Sequence, residues 1–126
     1  LHLVHPLGFS TEDRYVRRAG MDYWPQVCVH HYDSFAEVVG KYAGRRFFCA
    51  TTKAKHAVHE FTYQDGDFFV FGKESAGLPP EILDAHQDTL IRIPMTGQVR
   101  SLNLSNAAAI VLYEAFRQNH FPGLNV

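Results

Sequence analysis

Cysteine is scarce in this chain: Cys28 and Cys49 are the only two. Two thiols cannot build a disulfide framework or, by themselves, a four-ligand zinc site, and such usage fits a reducing, cytoplasmic setting. Long apolar runs are missing as well. No stretch approaches the roughly 20 residues that cross a bilayer, and no charged-then-apolar leader opens the sequence, so a membrane protein is not expected. Charge of one sign is absent too: 12 Lys and Arg against 13 Asp and Glu leave a formal net charge of −1. A protein coated in positive charge is thereby excluded, and any nucleic-acid binding must come from a local basic patch.

The familiar catalytic signatures are also wanting. Gly72 to Gly77 has the G-x-x-x-x-G spacing of a phosphate loop, but Leu78-Pro79 stands where Lys-Ser/Thr is required. There is no G-x-G-x-x-G and no G-x-S-x-G, which disfavours hydride transfer on a dinucleotide and serine hydrolysis. Histidine is plentiful at 8 residues, yet the pairs His30-His31 and His56/His59 have no carboxylate or cysteine at a metal-site spacing. No metal is expected.

What the 126 residues do contain is the balance of a globular protein, 46% hydrophobic and 20% charged, in a single domain spanning 1–126. Periodicity alternates between strand and helix. Leu1 to His5 reads as a strand, Ser10 to Arg18 as a capped helix, and Gln26 to His30 as a second strand. Asp33 is placed to cap a helix that carries Phe35, Val38, Val39 and Tyr42 and stops at Gly44. Arg46 to Thr51, Asp67 to Phe71 and Leu90 to Ile93 read as buried strands, with a helical turn near Pro80 to Asp84. Thr52 to Gly66 has no clear period and reads as loop. Asn103 to Asn119 is the best helix, with Leu104, Ala107, Ala108, Val111, Leu112 and Ala115 on one apolar face. Strands alternating with helices predict an α/β fold with an open, mostly parallel sheet flanked by helices.

In such sheets ligands bind beyond the carboxyl ends of the strands. Three of those ends carry polar or glycine-rich loops: Ala50 to Lys53, Phe71 to Pro79 and Ile93 to Asn103. Gly72 and Gly77 permit tight turns and close backbone approach, whether to shape a turn or to hold a flat heterocycle. Arg100 to Ala109 packs Ser101, Asn103, Ser105 and Asn106 at a helix start, suited to capping or to meeting a polar ligand. Together the three loops look like three walls of one pocket. Arg14, Arg17 and Arg18 fall near one helix face, and Arg45-Arg46 and Lys53 to Lys55 lie near strand ends. Such groups can bind phosphates or simply be solvated.

The loops, in this order, resemble the SPOUT superfamily of methyltransferases over essentially the whole chain. Phe71-Gly72-Lys73-Glu74-Ser75-Ala76-Gly77-Leu78-Pro79 is similar to that family's second motif, F-G-x-E-x-x-G-L-P. Ile91-Arg92-Ile93-Pro94-Met95 with Arg100-Ser101-Leu102-Asn103-Leu104-Ser105-Asn106 is similar to its third. Pro6 to Phe9, Arg17 to Tyr23, Ala50 to Lys53 and Tyr113 to Gln118 further resemble members that methylate the 2′-hydroxyl of the tRNA wobble cytidine or uridine.

The resemblance implies a C-terminal trefoil knot, a homodimer, tRNA as partner and S-adenosylmethionine as methyl donor. It implies that Ala50, Gly72, Ile93 and Ser101 line the donor pocket and that Thr51, Met95 and Leu102 help enclose the adenosine. Glu74, Ser101 and Asn103 match polar positions around the reacting centre, and Arg14, Arg17, Arg18 and Arg100 would meet RNA. Lys73 stands where close relatives often have proline. The family's first motif, N-x-G-N-I-x-R, is absent, together with the N-terminal strand-helix unit that carries it. A SPOUT-like module that binds nucleotide or RNA without catalysis is therefore the alternative reading. A carboxylate is far too weak a base for an alcohol, so Glu74 is expected to orient or hold charge rather than to act as sole base.

Overall fold

Side-chain alternation along β3 (Phe47–Ala50) sets the plan of the larger part of the molecule. Phe48 joins a core with Val58, Tyr63, Ile91, Val111 and Ala115, whereas its neighbour Cys49 joins one with Ala54, Leu83 and Leu90. Successive residues of a strand point to opposite faces, so a strand buried on both sides needs a cover on each. Here the helices supply the covers. This computed structural model describes residues 1–5, 27–98 and 102–126. The predicted helix at Ser10 to Arg18 lies outside the described residues, as do Arg100 and Ser101.

Two compact units divide the chain, Leu1–Gly44 and Arg45–Val126. In the first, β1 (His2–Val4) pairs in parallel with β2 (His30–Tyr32), His2 opposite His30 and Val4 opposite Tyr32. The second strand thus sits later than the predicted Gln26 to His30. The reason is packing: Tyr32 is buried, and its hydroxyl lies 2.9 Å from His2 Nδ1. Helix α1 (Phe35–Lys41) follows, capped by Ser34 rather than by the expected Asp33. The Ser34 hydroxyl accepts from the Glu37 N–H at 3.3 Å, and the Glu37 carboxylate accepts from the Asp33 N–H at 3.4 Å. Ser34 thus caps the helix while Glu37 reaches back to the N–H of the residue before the cap.

The second unit holds a four-stranded, wholly parallel sheet in the order β4-β6-β3-β5. Its other strands are β4 (His56–Ala57), β5 (Phe68–Val70) and β6 (Leu90–Arg92). Helix α2 (Pro80–Ala85) brings Leu83 to the Cys49 side, and α3 (Leu104–Gln118) brings Val111 and Ala115 to the Phe48 side. Burying a side chain the size of Leu83 or Val111 contributes on the order of 1.5–3 kcal/mol.

The loop expected at Thr52 to Gly66 proves partly ordered. It contributes β4 and a short 3₁₀ turn at Val58–Glu60, and it places Val58 and Tyr63 in the core. Two residues are too short a run to show a period, so the strand left no signal in the pattern. Its anchors are polar. Tyr63 donates its hydroxyl to the Val58 carbonyl, and the Gln118 amide spans the Tyr63 N–H and Phe61 C=O, both at 2.9 Å. The apolar face expected on α3 also divides. Val111 and Ala115 are buried, but Leu112 is 44% exposed, with Ile110 and Tyr113 exposed beside it.

Candidate active site

β3 occupies the point where the sheet's order reverses: β5 lies on one side of it, and from β5 the chain crosses to β6 on the other. Loops leaving neighbouring strands in opposite directions leave a crevice beyond the strands' carboxyl ends. A cavity of about 300 Å³ lies there, at the lower end of the range for small-molecule sites.

Its walls come from the three loops and the start of α3. Ala50 ends β3 and Thr51 follows it, Gly72 and Glu74 follow β5, and Ile93 and Met95 follow β6, while Leu102 lines it just before α3. Seven of the residues singled out in the sequence thus meet in one cavity, although 52 positions separate Ala50 from Leu102. Asn103 does not line it. That residue is exposed and caps α3, its Oδ1 accepting from the Ser105 N–H at 2.9 Å and the Ser105 hydroxyl at 2.7 Å. Ser101, the remaining catalytic candidate, lies outside the described residues, as do Arg14, Arg17, Arg18 and Arg100.

Hydrogen bonds from backbone N–H groups hold the first two loops. The Thr51 N–H donates to the Ile91 carbonyl at 2.9 Å, tying the β3 exit to β6. Lys53 N–H donates to Thr51 Oγ1 at 3.2 Å and rounds the turn. After β5, the Gly77 N–H donates to the Lys73 carbonyl at 2.8 Å, and Gly77 takes a φ of +69° that glycine adopts freely. Gly72 is needed for a different reason. A Cβ at that position would fall against the Gly77 carbonyl carbon and the Leu78 nitrogen, so the two arms of the loop touch through bare backbone.

Several wall residues had no lining role assigned to them from the sequence, although Lys73, Ile91 and Arg92 stand within the motifs. Ile91 and Leu83 add buried apolar surface to the lining, and Lys73 and Arg92 bring charge to it. The signal for Arg92 was positional: a lone cation at the carboxyl end of an otherwise apolar strand. One basic pair is corrected. Arg46 is not available to phosphate, because its Nε and Nη2 clamp both oxygens of Asp67, with Nε–Oδ1 at 2.9 Å. That pairing also holds the Arg46 guanidinium above its usual pKa, first through the hydrogen bond and then through the charge. Among the described residues no group of three or more His, Cys, Asp or Glu is arranged to hold a metal ion, and no helix is long and apolar enough to cross a membrane.

An all-parallel α/β sheet with a ligand-sized crevice at its switch point defines a protein that binds a small molecule over its strand ends. The chain belongs to the SpoU rRNA Methylase family, whose model matches residues 1–113. It is similar to the tRNA (cytidine(34)-2'-O)-methyltransferase of Escherichia coli strain K12, 46% identical over 127 residues, covering 98% of this chain and 79% of that one. A structure solved for the 2-OH methylation of C/U34 on tRNA superposes with a TM-score of 0.87 at 41% identity, over 94% of this chain and 78% of its own. An AdoMet-bound rRNA methyltransferase from Sinorhizobium meliloti superposes with a TM-score of 0.77 at 26% identity, over 92% of this chain and 44% of its own.

Proposed function

We propose that this chain methylates the ribose 2′-hydroxyl of the wobble nucleotide, cytidine or uridine, of tRNA, with S-adenosylmethionine as donor. The observation that carries the reading is the meeting of the three loops in one cavity at the switch point. The name of the Escherichia coli relative supports the substrate, and the AdoMet-bound neighbour supports the donor.

The residues present fit that donor. Ala50, Ile93 and Leu102 offer apolar walls to a flat base, and Glu74 offers a carboxylate to a positively charged sulfur. When bound, S-adenosylmethionine supplies a methyl group already activated by its sulfonium. The chain's own tasks are then to align the ribose oxygen and to keep water out, which lowers the barrier through positioning. Glu74 holds charge at the mouth of the cavity. Asn103 fixes the first turn of α3 and so the segment beside Leu102. Ser101 belongs to the same reacting centre in this reading.

The finer architecture follows the same reading. β6 lies between β3 and β4, both of which precede it, which supports a chain threaded there as a trefoil knot. Exposed Ile110, Leu112 and Tyr113 on α3 support a homodimer formed through that face, since a two-fold contact repeats one patch. Residues 1–126 then act as one catalytic domain, working in the cytoplasm on tRNA bound partly by Arg14, Arg17, Arg18 and Arg100. Incubation of the chain with unmodified tRNA and methyl-labelled donor, followed by mass spectrometry of the nucleosides, should find 2′-O-methylation at position 34. Binding of RNA and donor with no methyl incorporated would reduce the chain to a binding module.

A further inference from the structure

Positive charge is concentrated in the lining of the cavity. Lys53 and Lys73, from the loops after β3 and β5, and Arg92, at the end of β6, line it against a single carboxylate, Glu74. The whole chain carries a formal net charge of −1, so this surplus of cations is local. Among the described residues none of the three cations forms a salt bridge; the bridges there are Arg46–Asp67, His56–Glu60 and Arg117–Glu114.

Lys73 is the best placed of the three to meet a second, larger ligand. It is exposed, and its backbone is fixed rather than loose. Lys73 and Gly77 pair as an isolated antiparallel bridge, closed by the Gly77 N–H on the Lys73 carbonyl at 2.8 Å. The contact of Gly72 with the backbone of Gly77 and Leu78 pins the preceding residue. An exposed ammonium carried on a fixed backbone in the cavity lining is a point charge for an anionic oxygen.

We propose that Lys73 is a positioning residue that binds a backbone phosphate of the RNA beside the nucleotide entering the cavity. The inference rests on the methyl-transfer reading for the identity of the RNA. A carboxylate on the donor offers the same anionic oxygen, so the test must separate the two sources. A fluorescein-labelled anticodon stem-loop RNA is titrated with wild type, Lys73→Ala and Lys73→Arg by anisotropy across a salt series. S-adenosylhomocysteine binding is measured on the same proteins by calorimetry.

Loss of one phosphate contact should weaken RNA binding several-fold in Lys73→Ala and flatten the salt slope by roughly 1. Lys73→Arg should restore both, and S-adenosylhomocysteine affinity should stay within about twofold, the tolerance for an effect confined to RNA. An unchanged RNA affinity and slope overturns the proposal. So does an S-adenosylhomocysteine affinity that falls as far as the RNA affinity, which would assign Lys73 to the donor. Wild-type turnover is assayed in parallel: a chain that binds RNA through Lys73 yet transfers no methyl leaves this inference standing and refutes the catalytic reading alone.

Discussion

Gly72 and Gly77 bound the same loop but are glycines for opposite reasons, and substituting alanine at each separates the two. At Gly72 the obstacle is space. The added Cβ would overlap the Gly77 carbonyl carbon and the Leu78 nitrogen, which are backbone atoms and cannot swing aside like a side-chain tip. Overpacking of this kind costs about 1–3 kcal/mol, and relief requires the two arms of the loop to separate. Those arms are cavity walls, so Gly72→Ala should lower Tm by roughly 3–12 °C and weaken S-adenosylhomocysteine binding at least tenfold, given about 3–4 °C per kcal/mol for a domain of this size. At Gly77 a Cβ meets nothing within 4 Å, but the φ of +69° disfavours any L side chain. Gly77→Ala should therefore cost about 1 kcal/mol in stability and leave affinity nearly intact. Thermal unfolding and calorimetry on the two variants decide the matter. A Gly72→Ala protein with wild-type Tm and affinity, or a Gly77→Ala protein that loses more affinity than Gly72→Ala, would refute the reasoning.

Three further outcomes follow from the side chains. Cys49 is fully buried, and burial pushes its thiol up to about 11, while Cys28 is exposed. Ellman's reagent at about pH 8 should count one thiol in the native protein and two in guanidinium; two in the native state would mean that β3 is not covered on the Cys49 side. Glu60 is held below its ordinary value of 4.5 by the Ala57 N–H first and by His56 second. A depressed carboxyl adds stability above its unfolded value and loses it as pH falls through the folded one, so Glu60→Gln should lose stability less steeply below about pH 4.5. Parallel acid-unfolding curves would contradict that. Asn103→Ala should cost about 1 kcal/mol by removing the α3 cap and should lower kcat more than donor affinity, whereas Asn103→Asp keeps the capping oxygen and the Tm. Full turnover in Asn103→Ala would show that the α3 cap does not position the segment beside Leu102 for the reaction.

The helices and strands visible in the sequence are those whose burial is repeated along a run. Phe47 to Ala50, Phe68 to Val70 and Leu90-Ile91 are apolar throughout, and α3 differs from its expected limits only by the two residues that cap it. What escaped notice depends on contacts distant in sequence. β4 exists because β6 pairs with His56 and Ala57, some 35 positions earlier, and no pattern within two residues records that. β2 is displaced because Tyr32 reaches His2, 30 positions away. The exposed stripe on α3 reads as core by hydrophobicity alone, since composition does not say which apolar side has a cover within the chain.

The cavity was more legible than the topology that forms it, and the reason lies in the order of the strands. Polar and glycine-rich residues at strand ends are a local signature, readable one loop at a time. Whether the loops meet depends on β3 having β5 on one side and β6 on the other, a choice made by packing. Had β6 paired outside β5 instead, Ile93 and Met95 would lie two strands from Ala50, and the same three loops would form no common wall. The Thr51 N–H on the Ile91 carbonyl is the bond that records the actual choice at the site. It joins the β3 exit to β6 immediately before Arg92 and Ile93, so the pairing that orders the sheet also sets the distance across the cavity.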